Sequence, residues 1–199
     1  AYNSERINER VRRAVEKTRG KVALFEGDYI KAWFHAYAGP RTALPDEGLE
    51  YKGDNPPYIQ IVASPAQGVI PEKEKNWEAS FPLDQVRAAV LEAGCRDPGP
   101  IEKAKISEKG PSGRTTLIKI NEVVVPAPSL RIALDSTKMR STFIDRIEIG
   151  PGELYLSGTG YGHGVGMCQW GARTLAEEGR SPDEIVKYFY HDITLARVW

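Results

Sequence analysis

Glycine occupies every second position in one short stretch of this chain, residues 158–169, which read GTGYGHGVGMCQ. Side chains alternate between the two faces of an extended chain, so an extended run would have one face of bare backbone. Its other face would carry Thr159, Tyr161, His163, Val165 and Met167. Glycine loses more conformational entropy on folding than any other residue, and a chain uses it where a group approaches the backbone closely or where φ is positive. Two interpretations stay open: a glycine-rich loop in a packed corner, or one wall of a site with His163 as its polar group.

Length and composition place few other limits on the chain. Its 199 residues suffice for one large domain or two small ones, and its hydrophobic share of 41% is ordinary. A formal net charge of zero gives no reason to expect nucleic acid as a partner. We expect no transmembrane helix within the chain, because no stretch approaches about 20 consecutive apolar residues. Cys95 and Cys168 lie in no metal or redox spacing, and we expect two free thiols.

The hydrophobic periodicity predicts a mixture of helices and hairpins. Helices are expected over residues 4–19, with Ser4 as N-cap, and over residues 83–93, 128–134 and about 166–178. A last helix follows Ser181, which opens a capping-box pattern, and these final two helices complete the C-terminus. Strands are expected over residues 21–25, 29–37, 58–63, 101–107, 114–120, 123–125, 142–149 and 153–157, with loops over residues 41–57 and 64 to about 76. We therefore expect an α+β fold with a mostly antiparallel sheet and peripheral helices.

The residue types that carry chemistry narrow the functional classes. The three histidines, His35, His163 and His191, occur in no HExxH pattern, and a zinc site needs three or four converging ligands, so we expect no metal. The glycine spacing of two does not fit the GxGxxG dinucleotide fingerprint, and no GxSxG nucleophile elbow occurs. The remaining classes are carbohydrate or peptide recognition and acid–base chemistry on a neutral substrate, and Tyr161 with His163 suits a sugar. His35 lies at a predicted strand end, where it either caps a hairpin or faces the same cleft as His163.

Residues 160–172, GYGHGVGMCQWGA, resemble the GxGHGVGMSQxGA signature of the stage II sporulation protein D and amidase enhancer (SpoIID/LytB) family. Residues 112–114 resemble the family's SGR motif, and residues 139–143, MRSTF, resemble its LRSTxF motif. Residues 8–20, 25–30, 33–42 and 183–190 resemble further family segments in the same order. The resemblance covers nearly the whole chain and implies one SpoIID/LytB-type domain over residues 1–199.

The resemblance implies work on peptidoglycan in the cell envelope, outside the cytoplasm, in cell-wall remodelling such as sporulation. Active members are lytic transglycosylases, which cleave between N-acetylmuramic acid and N-acetylglucosamine and leave a 1,6-anhydro end. One carboxyl group first protonates the glycosidic oxygen and then accepts the proton of the C6 hydroxyl as that oxygen closes on C1, which requires a raised pKa. The implied partners are glycan strands and a cell-wall amidase or other envelope proteins, with no cofactor and no nucleic acid.

The chain departs from the family pattern at the catalytic acid. The family's glutamate lies in an upstream helix of the type EMP…EALKAQAxAARTYA, which no segment of this chain matches. The acidic residues near its start lack the required context: Glu5, Glu9, Glu16 and Glu26. The catalytic residue is therefore unknown, and we expect a piece of a longer protein or a shortened homologue that lacks this segment. The alternative function is a non-catalytic peptidoglycan-binding or amidase-activating module.

A substrate-binding wall around the signature is a further implication of the resemblance. We expect His163 and His35 to line the cleft and to orient sugar hydroxyl or N-acetyl groups. Tyr161 and Gln169 are expected as supporting contacts. Cys168 departs from the family pattern within this stretch, because it stands where the family has serine.

Overall fold

The computed structural model describes residues 7–199, except for the side chain of Gln67. The helices are α1 (Glu9–Thr18), α2 (Pro45–Leu49), α3 (Glu72–Lys75), α4 (Leu83–Glu92), α5 (Ala127–Asp135), α6 (Gln169–Glu177) and α7 (Pro182–Phe189). The strands are β1 (Lys21–Phe25), β2 (Asp28–Tyr29), β3 (Phe34–His35), β4 (Asn76–Pro82), β5 (Ala104–Lys109), β6 (Thr115–Ile120), β7 (Val123–Pro126), β8 (Ile144–Ile149), β9 (Glu153–Thr159), β10 (Met167–Cys168) and β11 (Thr194–Arg197).

The fold is α+β, as predicted, and most strand pairs are antiparallel. Three sheets have the strand orders β11-β1-β2, β4-β9-β8 and β5-β6-β7, and all their neighbouring strands are antiparallel. Strands β10 and β3 pair in parallel. A 3-10 turn spans Pro65–Gly68. No helix within residues 7–199 has the length and apolar character needed to cross a membrane.

The chain forms two compact units, and the smaller one contains the described residues up to Ala32 together with residues 192–199. In it, β1 pairs with β11 on one side and with β2 on the other. Helix α1 begins after Asn8, whose side chain accepts a hydrogen bond from the Val11 N–H at 3.2 Å. The predicted N-cap, Ser4, lies outside the described residues.

The larger unit, residues 33–191, contains the main hydrophobic core. The alternation along β4 shows how the sequence builds it, because Trp77 and Phe81 are buried whereas Glu78 and Ser80 are exposed. The sheets β4-β9-β8 and β5-β6-β7 and the helices α4 and α5 together supply the core's large aliphatic side chains: Val86, Val90, Ile118, Ile120, Leu130, Leu134, Ile144 and Leu154. The other face of β4 stays accessible, and so do Arg146 and Glu148 on β8.

Several predicted elements are confirmed. Helix α4 and the hairpins β5–β6 and β8–β9 lie where the pattern placed them, within a few residues at each end. The capping box at Ser181 is also present: its Oγ accepts the Glu184 N–H at 3.3 Å, and a carboxylate oxygen of Glu184 accepts the Ser181 N–H at 2.8 Å.

Other predicted elements are wrong. Residues 29–37 do not form one strand, because β2 ends at Tyr29 and β3 contains only Phe34–His35. Residues 58–63 form no strand: the bridges Ile59↔Tyr190 and Arg41↔Ala63 pair them with two different segments at single positions. Strands β4 and β11 were not predicted. The helix expected from residue 166 begins at Gln169, because Met167–Cys168 pairs with β3 instead.

Candidate functional site

The glycine run is not an extended strand. Strand β9 ends at Thr159, and Gly160, Gly162, Gly164 and Gly166 have φ angles of +98°, +106°, +83° and +70°. A positive φ at every second residue takes the backbone out of the β region, so the expected single face of side chains does not form. The run instead forms single bridges to residue 37 through Tyr161 and to residue 43 through Val165, and it then pairs with β3 in parallel through β10.

The bare backbone of the run faces other atoms of the protein. A Cβ built on Gly164 would overlap the guanidinium of Arg114, and one built on Gly162 would lie 2.8 Å from the Cβ of His35. Neither position has room for a side chain. This is the close packing expected of a glycine-rich loop in a packed corner.

His163 is held in one orientation by the backbone on both sides of its ring. Its Nδ1 accepts the Val165 N–H at 3.0 Å, so the ring proton lies on Nε2, which donates to the Phe34 carbonyl at 3.0 Å. Burial is the main reason that the pKa of His163 is lowered to about 4. The hydrogen bond to Phe34 raises this pKa, and the charges of Arg114 and Arg131 lower it further. His163 is therefore neutral at pH 7, with both ring nitrogens engaged.

His35 lies beneath His163 and is only 4% exposed. Its Nδ1 is 3.1 Å from the Val165 carbonyl, which can only accept, so Nδ1 carries the proton and Nε2 is an acceptor. Nε2 is buried and has no hydrogen-bond partner within the described part of the chain. Burial and then the charge of Arg114 lower the pKa of His35 well below its usual value, and His163 lowers it further when His163 is itself protonated. The two rings meet edge to face, with centroids 5.6 Å apart.

Tyr161 and Gln169 are the two predicted site residues that reach the surface. Tyr161 is 38% exposed, and the guanidinium carbon of Arg140 lies 5.5 Å from its ring centroid. Gln169 is exposed at the first position of α6. The structure thus brings the rings of His35 and His163 together in the middle of the run, with Tyr161 towards one end of the run and Gln169 at the other.

A buried arginine and a buried glutamate support the run, and neither was predicted as a site residue. Arg114 is fully buried and donates from Nη2 to the Ala38 carbonyl at 2.6 Å. Burial lowers its pKa to about 10. Glu47 is 2% exposed and accepts from the Ser112 N–H at 2.9 Å, the Ser112 hydroxyl at 2.8 Å and the Leu44 N–H at 3.0 Å. Residues 112–114 carried a motif signal, whereas nothing in the sequence marked Glu47.

Residues 139–143 form hydrogen bonds with the start of the run. The Ser141 hydroxyl donates to the Thr159 carbonyl at 2.6 Å and accepts from the Trp77 ring N–H at 3.2 Å. The Arg140 carbonyl accepts the Gly162 N–H at 2.8 Å. Segments that are far apart in the sequence, including residues 33–42, 112–114 and 139–143, therefore all meet at residues 158–169.

Comparison with curated proteins finds relatives that align with nearly all of this chain. The amidase enhancer of Bacillus subtilis (strain 168) is 27% identical over 98% of the chain, which corresponds to 34% of that protein. The stage II sporulation protein D of Bacillus amyloliquefaciens is 28% identical over 94% of the chain and 51% of that protein. An uncharacterized protein of Brachyspira hyodysenteriae is 29% identical over 98% of the chain and 51% of that protein. No protein-family model matches the chain.

Over most of its length this chain is similar to proteins of the SpoIID family, and these similarities support membership of that family. It spans between about a third and a half of the length of these relatives.

The cysteine that departs from the SpoIID signature fills the position of a helix cap. Cys168 is buried and free, and its Sγ accepts the Gly171 N–H at 3.3 Å at the start of α6. Serine makes the same kind of N-cap through its hydroxyl oxygen. The departure therefore leaves the capping geometry in place. Cys95 is free as well. Within residues 7–199 there is no group of three histidine, cysteine or acidic side chains close enough to hold a metal ion.

Proposed function

We propose that this chain binds peptidoglycan glycan strands and takes part in the lytic-transglycosylase-like processing of these strands. The observation that carries the proposal is the meeting of residues 33–42, 112–114 and 139–143 at the glycine run, which builds one wall from segments that resemble SpoIID motifs. Relatives named amidase enhancer and stage II sporulation protein D support a role in the cell wall. Such a role belongs in the cell envelope, outside the cytoplasm.

Within this wall the four site residues have different parts. Tyr161 offers an exposed ring on which a sugar can pack, and Gln169 offers an exposed amide that can donate and accept hydrogen bonds. His163 acts by position, because it ties the Phe34 carbonyl to the Val165 amide and so shapes the loop that carries Tyr161. His35 supports His163 from below.

A second candidate is a non-catalytic peptidoglycan-binding or amidase-activating module. One observation favours it for the described residues: the acidic side chains whose pKa departs from its usual value, such as Asp97, Asp135 and Glu122, all depart downward. A transglycosylase needs one carboxyl group that stays protonated near neutral pH. His163 does not supply that proton, because both its nitrogens are bound to the backbone.

Purified sacculi separate the two candidates. Release of 1,6-anhydromuropeptides by this chain, detected by mass spectrometry, would support the transglycosylase reading and exclude the non-catalytic one. Binding to sacculi without release would support the module. In that case, increased peptide release by a cell-wall amidase when the chain is added would support amidase activation.

The wall is tested by comparing two exposed tyrosines. Tyr161→Ala is expected to weaken binding to sacculi or purified glycan strands about 2- to 12-fold, because a ring contact is worth roughly 0.5–1.5 kcal/mol. Tyr29, 69% exposed on β2, is the control, because it belongs neither to the run nor to the segments that meet it. Equal effects of Tyr161→Ala and Tyr29→Ala, or unchanged binding by His163→Ala, would refute the assignment of the wall.

A further inference from the structure

Strand β4 leaves one edge of its sheet open. Two hydrogen bonds just outside the ends of β4 fix which of its residues bond to β9. The Gly160 N–H donates to the Lys75 carbonyl, and the Leu83 N–H donates to the Gly152 carbonyl, both at 3.0 Å. In an antiparallel pair, every second residue of a strand bonds through its backbone to the neighbouring strand, and the residues between point away from that strand. The odd-numbered residues of β4 therefore bond to β9, and the N–H and C=O groups of Glu78 and Ser80 point away from β9. In the strand order β4-β9-β8, no further strand covers that edge within the described residues.

A cleft of about 490 Å³ runs along this open edge. Residues 76–80 form one side of it, and Thr137, Lys138 and Arg140 form the other. Its volume falls in the usual range for a small-ligand pocket, roughly 300–1,000 Å³. The guanidinium carbon of Arg140 also lies 5.5 Å from the ring centroid of Tyr161, so this one side chain borders both the cleft and the proposed glycan-binding wall.

We propose that this cleft binds the acetamido groups of an N-acetylated glycan strand, through the backbone edge of Glu78 and Ser80. This inference rests on the proposed function and extends it, because it gives the strand a second contact beside Tyr161. A secondary amide has one N–H and one C=O, and each outward-facing residue of β4 presents the complementary pair. Backbone recognition of this kind would distinguish N-acetylated sugars from their free-amine forms.

The edge suits separate amide groups better than an added peptide strand. Strand addition requires a row of free backbone groups along the edge. Here the row is short: β4 ends at Pro82, which has no N–H, and α3 directly precedes its first residue, Asn76. Only residues 76, 78 and 80 can offer both an N–H and a C=O to the cleft.

Replacing Ser80 by proline tests the edge directly. Ser80→Pro removes one N–H that points into the cleft and none that bonds to β9, and proline is tolerated at such edge positions. Ser80→Ala is the matched control, because it keeps the N–H and removes only the hydroxyl. Binding of a β-1,4-linked pentamer of N-acetylglucosamine, measured by calorimetry, should be about 3- to 10-fold weaker for Ser80→Pro and unchanged for Ser80→Ala. The de-N-acetylated pentamer should bind the wild-type protein and both variants equally weakly.

Amide NMR signals of the wild-type protein give a second test that does not depend on the folding of a variant. On addition of the N-acetylated pentamer, the amides of Glu78 and Ser80 should shift, together with those around Tyr161. If the pentamer binds and shifts only residues 158–169, or if Ser80→Pro binds as well as wild type, the cleft inference is wrong and the proposed function stands. If an isolated cell-wall stem peptide shifts Glu78 and Ser80 while the pentamer does not, the cleft binds peptide and the inference is overturned. If neither the pentamer nor purified glycan strands bind the wild-type protein, the proposed function fails as well.

Discussion

Replacing Gly164 by alanine tests whether the protein's own packing shapes the glycine run. Gly164 has a φ of +83°, and a Cβ built there would overlap the guanidinium of Arg114. Arg114 is fully buried, and its hydrogen bond to the Ala38 carbonyl at 2.6 Å holds it in place. We therefore expect Gly164→Ala to lower the free energy of unfolding through two separate terms.

The first term is conformational, since an L-residue in the left-handed region costs roughly 1–2 kcal/mol relative to glycine. The second term is steric, since overpacking a well-packed interior typically costs about 1–3 kcal/mol. Together they lower the free energy of unfolding by about 2–5 kcal/mol, a large part of the roughly 5–15 kcal/mol that stabilises an ordinary domain.

Gly152 is a matched control for the first term. Its φ of +78° is nearly the same, and a Cβ built on it would meet no atom within 4 Å. Gly152→Ala should therefore lose only the conformational term, roughly 1–2 kcal/mol. Urea unfolding of the wild-type protein and both variants, followed by circular dichroism, measures the difference through the unfolding midpoints, provided that the slopes agree.

Equal losses of stability in the two variants would refute the reasoning, because they would show that Arg114 does not occupy the space beside Gly164. The double variant Gly164→Ala/Arg114→Met provides a further check. The flexible methionine removes the guanidinium, so Gly164→Ala should destabilise that background less than it destabilises the wild type. A double-mutant cycle measures this coupling.

Two further predictions concern His163 and Cys168. The pKa of His163 is about 4 in the folded protein and near 6.5 in the unfolded chain. Between these two pH values the unfolded chain binds more protons than the folded protein does. The free energy of unfolding is therefore highest above pH 6.5, and it falls by on the order of 2–3 kcal/mol as the pH drops towards 4. Between pH 7 and pH 4.5, His163→Gln should lose less of its free energy of unfolding than wild type does, as measured by urea titrations at the two pH values. An equal loss would contradict the assigned neutral form of His163. Cys168→Ser should keep the N-cap of α6, whereas Cys168→Ala should be about 1 kcal/mol less stable than both wild type and Cys168→Ser in urea unfolding. A Cys168→Ala variant as stable as wild type would exclude a capping role for Sγ.

The elements that the sequence predicted well depend on local signals. The capping box at Ser181 involves partners only three residues apart, and the β8–β9 hairpin is closed by a short turn around Gly152. Strand β4 was missed because its partner, β9, lies about 80 residues away and no short turn joins the two. Strand β11 was missed for the same reason, since it pairs with β1 at the opposite end of the chain.

The support beneath the site could not be predicted for a related reason. Glu47 binds Ser112 across 65 positions, and Arg114 binds Ala38 across 76. Neither contact has a periodicity or a spacing that a sequence pattern could reveal. The side chains of the signature itself were visible in the sequence, but their hydrogen bonds were not: the backbone contacts of His163 with Phe34 and Val165 depend on the path of the run.

The period of two in the glycine run has a different origin from the period of a strand. A strand alternates side-chain direction, whereas this run alternates the sign of φ, with glycine at each positive position. The residues between the glycines therefore do not share a face: Tyr161 is 38% exposed, whereas Val165 is fully buried. Tyr161, beside Arg140, and Gln169 at the far end of the run are exposed and can touch a ligand, whereas Val165 between them belongs to the interior. This asymmetry is why the proposed glycan contact extends from Tyr161 towards the open edge of β4, away from the two histidines.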